Sequence, residues 1–346
     1  MTKTNYNNWL ELTETGYYEK LDDGRLALTV PEVDGIVDFH THLGWTILLA
    51  KKVDVTKRTP EVKHNFLRNL AVDFSVYSGQ NMYNERPKWG YQDFIPEGLS
   101  RSRRGKHHTH TIPNILWEMD ALKIEKAVSL ALDIWNSDNS LRFGAAMKDE
   151  PRMIHYCAVH PKSKTLEADI EKNLELGALG MKVHPELQQC HIDSPEMVDM
   201  VKLWKKVSKG LPVLFHSGFN GYEPDKLKDK CRIENYVPVI DALEGSTCII
   251  GHASMTQYKI ATEYAEQRPY VYLEIGGQPR AHLLEMIERL GSERLLYGSD
   301  WPVYPQAIPI CKVLTTTEGN YEARMNILRD NANRILSESE KIYKTL

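Results

Sequence analysis

The sequence predicts an α/β fold: a (β/α)8 TIM barrel with a small N-terminal β extension and a long insertion after strand 1. Three features predict it. Eight short, near-continuous apolar runs recur along the chain, at 35–42, 127–134, 154–160, 178–184, 211–216, 247–252, 271–275 and 294–300. Amphipathic helical patterns separate them. Several of the runs close on a single polar residue. Apolar runs of this length suit parallel strands buried on both faces, and their alternation with helices suits a closed barrel. The rival, an open doubly wound sheet, is usually shorter, and no Gly-rich phosphate loop follows the first run.

The helical stretches read consistently with this. Between 166 and 176 the apolar residues include Leu166, Ile170, Leu174 and Leu176. Ser194 and Pro195 supply an N-cap and a first-turn proline. Met197, Val201, Leu203 and Trp204 then line one face. The stretch 281–290 behaves alike, and a closing helix is predicted over 321–337. Two segments stand outside the repeat. Within 1–34, residues 17–28 predict a hairpin turning at Asp23-Gly24. The insertion, 43–112, carries Phe74, Tyr77, Tyr83, Trp89 and Tyr91 and a basic run, 101–106. Loops at the C-terminal end of a barrel build the active-site mouth, so the insertion is expected to act as a lid. No linker or composition shift divides the chain, and one domain is expected over 1–346.

A chain of 346 residues can bury a large core without disulfide or structural-metal staples. The net charge of −4 favours neither nucleic acid nor a membrane surface. The run Arg101-Ser-Arg-Arg-Gly-Lys106 therefore reads as a solvated face or an anion-binding lid. The five cysteines form no C-x-x-C pair, which argues against a disulfide framework and for a reducing compartment. No apolar leader segment is present, and no apolar run approaches the roughly 20 residues of a spanning helix. Cytoplasmic placement, no nucleic-acid or membrane partner, and homo-oligomer formation are the expectations.

The strongest local signal is His40-Thr41-His42 at the end of the first run. Alternate residues of a strand share a face, and two imidazoles side by side can chelate one metal ion. The chain repeats the triplet at His108-Thr109-His110, but in a polar stretch without a strand pattern. That copy reads as a solvated loop. His216, His252 and Asp300 close later runs, and in a barrel those ends converge on one mouth. Histidines and a carboxylate meeting there suit zinc or a similar borderline ion. Lys182 also lies at a strand end, where a salt-bridged or snorkelling lysine is the commoner meaning.

These pieces resemble the amidohydrolase superfamily, and within it the amidohydrolase-2 family of metal-dependent hydrolases. The resemblance rests on Val37-Asp-Phe-His-Thr-His42, Gly180-Met-Lys-Val-His-Pro185, Phe215-His-Ser-Gly218, Gly251-His252 and Leu296-Tyr-Gly-Ser-Asp-Trp-Pro302, in that order. The stretch 327–336 resembles the family's closing helix. The resemblance implies that His40, His42, His216 and Asp300 bind a divalent metal, zinc first and manganese next. It implies that Asp300 also serves as general base and that His252 contacts substrate or orients water. Lys182 sits where many superfamily members carry a carboxylated lysine bridging two metals, and with His184 it is a second-metal or substrate candidate. Arg280, Arg101 and Arg104 are candidates to hold a substrate carboxylate by paired hydrogen bonds. A divalent cation lowers the pKa of bound water to about 7, and a carboxylate beside it can accept the proton.

Two chemistries follow from the resemblance. Hydrolysis of a small, carboxylate-bearing substrate comes first. Decarboxylation of an aromatic or unsaturated acid is the alternative, because some such relatives carry Glu-x-His where this chain has His-x-His. A metal-binding protein without catalysis is a third reading, opposed by the full ligand set.

Overall fold

Each of the eight apolar runs forms a strand in the computed structural model, which describes residues 3–46, 51–85, 105–134, 137–220 and 223–346. Three short strands precede the barrel: β1 (Asn5–Tyr6), β2 (Tyr18–Lys20) and β3 (Leu26–Leu28). The barrel strands are β4 (Ile36–Thr41), then β6 (Ile124–Leu130), β7 (Met153–Cys157), β8 (Gly180–Val183), β9 (Val213–Phe215), β10 (Cys248–Ile250), β11 (Val271–Glu274) and β12 (Leu295–Leu296). A further strand, β5 (Val72–Asp73), lies in the insertion. The barrel strands pair in parallel in the order β12-β11-β10-β9-β8-β7-β6-β4. The seam closes through backbone bonds. Phe39 N donates to Tyr297 O at 2.9 Å, Asp300 N to His40 O at 2.8 Å, and His42 N to Trp301 O at 2.7 Å. The closure itself therefore sets Asp300 beside the two histidines.

Strand periodicity explains which side chains reach the centre. Val37, Phe39, Val128, Leu130, Ile154, Leu214, Ile249 and Leu296 pack one interior cluster, joined by Ala332, Ile335 and Leu336 of the helix Asn331–Tyr343. Two residues beyond Leu214 and Tyr272, the same alternation turns His216 and Glu274 inward. The first strand departs from strict alternation. Its register against β6 shifts between Asp38 and Thr41, an irregularity of the kind that re-aims a side chain. Phe39 packs in the interior cluster, and the next residue, His40, still reaches the centre.

The predicted helices form at Leu166–Glu175, Pro195–Val207 and Arg280–Leu290. Ser194 caps the second of these by accepting from Met197 N. Its buried face is Met197, Met200, Val201 and Trp204, so Met200 takes the place expected for Leu203. The closing helix runs Tyr321–Met325, passes through a π-helical turn at Asn326–Asp330, and continues as Asn331–Tyr343. The N-terminal hairpin forms as predicted, with Gly24 at φ 86°, a conformation that glycine adopts without a Cβ penalty. All five cysteines are free and buried. Among the described residues no helix is long and apolar enough to cross a membrane.

The insertion is more than a cover. β5 pairs antiparallel with β1, and Phe66, Leu70, Val72 and Phe74 belong to the main core. The solvated loop expected at His108-Thr109-His110 is corrected by the structure. Lys106–Thr109 is a 3-10 turn, and Thr109 and His110 are buried. His110 lies edge-on to Trp301 with ring centroids 5.8 Å apart, and its Nε2 pairs with Lys63 O at 3.0 Å. Packing against the barrel rim overrides the polar local sequence.

Candidate metal centre

The first-strand histidines are oriented from behind. His40 Nδ1 lies 2.6 Å from Glu274 Oε2, and His42 Nδ1 lies 2.9 Å from Leu130 O. An acceptor at Nδ1 fixes the proton there and leaves the Nε2 lone pair facing the cavity. Both Nε2 atoms then face one carboxylate oxygen, Asp300 Oδ1, at 3.8 Å from His40 and 3.3 Å from His42. Asp38 ties the same strand ends together. It accepts from His40 N at 3.2 Å, Ser299 N at 2.9 Å and Gln306 Nε2 at 2.7 Å. Gly298 explains part of the Gly-Ser-Asp-Trp-Pro motif: a Cβ there would collide with the Glu274 carboxylate and with His40 Cβ.

His252 enters from an unusual backbone. His252, Ala253, Ser254 and Met255 have φ of 55°, 44°, 61° and 52°, and Asp300 has 58°. Non-glycine residues held there cost of order 1–3 kcal/mol each and persist where the surroundings over-determine them. Gln278 Nε2 pins the run, donating to His252 O at 2.6 Å and Met255 O at 2.9 Å. The His252 ring stacks on His40, with centroids 4.5 Å apart. One ligand atom each from His40, His252 and Asp300 lies within 4.8 Å of the others. His184, Glu186 and His216 form a second such trio, in which the His184 and His216 rings stack at 3.9 Å.

Electrostatics suit cation binding. Burial holds His40, His184 and His216 well below the usual histidine range, and His252 falls to about 4 for the same reason. These imidazoles are neutral lone-pair donors at pH 7. Burial alone would raise Asp300, but the His42 hydrogen bond and the neighbouring His252 and Lys182 outweigh it and leave a net lowering. Burial pushes Glu274 up to about 8 against the pull of the His252 and Gly276 amides. A cation on the far side of His40 would favour its carboxylate form. Neutral imidazoles, an ionised aspartate and tautomers locked from behind fit a borderline divalent ion. His42, His184, His216, His252 and Asp300 line a cavity of about 190 Å³, together with Trp45, Tyr77, Met82, His110 and Tyr304.

The structure brings together His40, His42, His252 and Asp300, with His216 and His184 adjoining. Lys182 is neither salt-bridged nor snorkelling. It is 1% exposed, its Nζ lies 3.4 Å from His40 Nε2, and it makes no ion pair among the described residues. Burial lowers it to about 8. Arg280 does not line the cavity: it opens a helix and donates to Thr315 O at 2.7 Å. Arg101 and Arg104 lie outside the described residues. Sequence reasoning missed Glu274 and Glu186. Glu274 was readable as the one acid inside the run Val271-Tyr-Leu-Glu-Ile275. Glu186 follows β8 in a loop, with no local signal to separate it from a solvated acid.

The family model described as amidohydrolase matches residues 37–337. No curated protein matches the chain. Among solved structures, an uncharacterized TIM-barrel protein from Bordetella bronchiseptica is similar at TM-score 0.61 and 16% identity, over 88% of this chain and 99% of that one. The 5-carboxyvanillate decarboxylase of Sphingomonas paucimobilis is similar at TM-score 0.58 and 14% identity, over 71% and 90%. A probable 2-pyrone-4,6-dicarboxylic acid hydrolase from Acinetobacter baumannii gives 0.52 and 11%, over 88% and 99%. At these identities the likeness is one of fold. The family match, which runs from the first barrel strand into the closing helix, decides the assignment: this chain belongs to the amidohydrolase-2 family of the amidohydrolase superfamily.

Proposed function

We propose that the chain is a metal-dependent hydrolase of a small molecule, with Asp300 as general base. The observation that carries this is the convergence of His40 and His42 Nε2 on Asp300 Oδ1, at 3.8 and 3.3 Å, beside a cavity. His40, His42, His216 and Asp300 would hold the ion, His216 adjoining the others with its ring centroid 5.2 Å from that of His252. When bound, zinc or manganese supplies Lewis acidity and a lowered water pKa. Asp300, ionised at neutral pH, takes a proton at its carboxylate and returns it to the leaving group. His252 keeps a neutral ring with Nδ1 3.4 Å from Gly276 O, so its Nε2 is left to meet the substrate. Glu274 positions His40, and the insertion residues Trp45, Tyr77 and His110 wall off water.

Decarboxylation is the second reading. The aromatic and thioether side of the cavity, Trp45, Tyr77, Met82 and Tyr304, favours a flat acid. The test is a panel of lactones, amides and aromatic carboxylic acids on metal-loaded protein, following acid release and carbon dioxide together. Hydrolysis without carbon dioxide supports the first reading. Carbon dioxide without hydrolysis replaces it with the second. Turnover in which metal loading makes no difference overturns both.

A further inference from the structure

Glu186 is an acid buried in the barrel mouth. It sits in the turn 185–189 after β8 and is 4% exposed, and no hydrogen bond reaches its Oε1. The turn itself is braced: Gln188 Oε1 accepts from His184 N at 3.1 Å, and Gln188 Nε2 donates to Val159 O at 2.8 Å. Glu186 lines the same cavity as Asp300. So does a second acid, Glu223, which accepts from Asn220 N at 3.0 Å. Glu223 lies close enough for its charge to oppose that of Glu186. Burying two like charges near one another is unfavourable, and a bound cation reverses that.

The rest of the cavity wall suits an organic cation. His107, on the turn Lys106–Thr109, is 3% exposed, and neither of its ring nitrogens has a hydrogen-bond partner. Burial lowers it to about 4, so at pH 7 the ring is neutral and keeps a lone pair that can accept an N–H. Trp45, Tyr77 and Tyr304 add aromatic faces, which attract cations. Among the described residues that line the cavity there is no lysine or arginine, so a substrate carboxylate, as expected from the sequence, would meet no such partner there. We propose that the substrate carries a primary amino group, bound as ammonium by Glu186, with Glu223 and His107 as further acceptors. The proposal rests on the hydrolase reading of the site, and it leaves His216 on the ion with His40, His42 and Asp300. An ammonium offers three N–H donors and no acceptor, the complement of carboxylates and an imidazole lone pair. A single-ring amine is of the right size: a cavity of about 150 Å³ holds benzene, and this one is about 190 Å³.

The test compares benzylamine with benzyl alcohol, which share the ring and methylene and differ in the charged group. Binding of each is measured by calorimetry at pH 7 on zinc-loaded full-length protein, with bound zinc counted alongside. Wild type should bind benzylamine at least about tenfold more tightly, the scale of one hydrogen bond to a charged group. Glu186→Gln, nearly isosteric, should lose most of that preference and keep its zinc. Glu223→Gln should lose part of it, and serves as the second variant if Glu186→Gln does not fold. Equal binding of the two probes by wild type, or no binding of benzylamine, overturns the proposal. So does a folded Glu186→Gln that keeps the preference, or one that loses zinc in step with benzylamine, which would make Glu186 a metal ligand. Binding is read without turnover. A protein that binds benzylamine as expected but hydrolyses nothing in the panel therefore loses the hydrolase reading and keeps the amine site.

Discussion

Glu274→Gln probes how the first centre is held. The Glu274 side chain is fully buried, and its Oε2 accepts from the His40 ring at 2.6 Å and from His252 N at 2.9 Å, while Oε1 accepts from Gly276 N. Glutamine keeps one oxygen. With that oxygen in the Oε2 position, the His40 tautomer survives, and the amide NH2 meets the Gly276 N–H. Turned the other way, His40 and His252 both lose their acceptor. Each buried bond left unmade costs about 1–3 kcal/mol. Loss of the carboxylate behind a ligating histidine lowers metal affinity by about 10–100-fold. The first orientation predicts the lower end of that range and the second the upper end. The assay is zinc competition against a chromophoric chelator, run with thermal melts of both metal-free proteins. A lower melting temperature with unchanged zinc affinity would make Glu274 a structural acceptor only and refute the positioning role.

Asp300→Asn retains an oxygen ligand but cannot accept a proton, so turnover should fall by at least about a hundredfold, with a smaller fall in metal content; near-normal turnover would remove the general base. Lys312 is buried, donates to Ser78 Oγ at 2.7 Å and Gly277 O at 3.2 Å, and is lowered to about 7, chiefly by burial. Its folded value lies below the about 10.4 of an unfolded lysine. Between those values the unfolded chain binds a proton that the native state does not, so stability rises with pH across the window and the full penalty applies below it. Lys312→Met should flatten that rise in urea melts across the window, and an unchanged slope would contradict it. Replacing 60–105 by a short Gly/Ser linker should unfold the protein. It removes Phe66, Leu70, Val72 and Phe74, each at most 5% exposed. At about 1.5–3 kcal/mol per buried side chain, that loss rivals the whole stability of a domain, about 5–15 kcal/mol. A folded, shortened protein with a normal melt would restore the picture of a detachable lid.

The barrel was legible because its signal is local and repeated. A parallel strand buried on both faces must be apolar along its length, and runs such as Leu211-Pro-Val-Leu-Phe-His216 carry that requirement openly. His42, His216, His252 and Asp300 were legible for the related reason that each ends such a run, and His40 because it precedes His42 by two residues. What failed to show depends on contacts across the chain. Glu274 takes its meaning from His40, 234 residues away. His110 is buried by Trp301, a contact that the polar sequence around it does not foretell. The approach of Glu186 to His184 and His216 depends on the loop after β8, which carries no periodic signal. Arg280 lies past the end of β11, where it opens a helix, and its side chain turns to Thr315 O rather than into the cavity.

The central claim is that His40, His42, His216 and Asp300 form a metal centre on which activity depends. Its most direct test is activity of the chelator-stripped protein, against the panel of lactones, amides and aromatic acids, before and after stoichiometric zinc or manganese is restored. The account predicts that stripping abolishes turnover, that added metal restores it in proportion to the ion bound, and that His42→Ala is not restored. Full turnover in protein shown to be free of metal would contradict it.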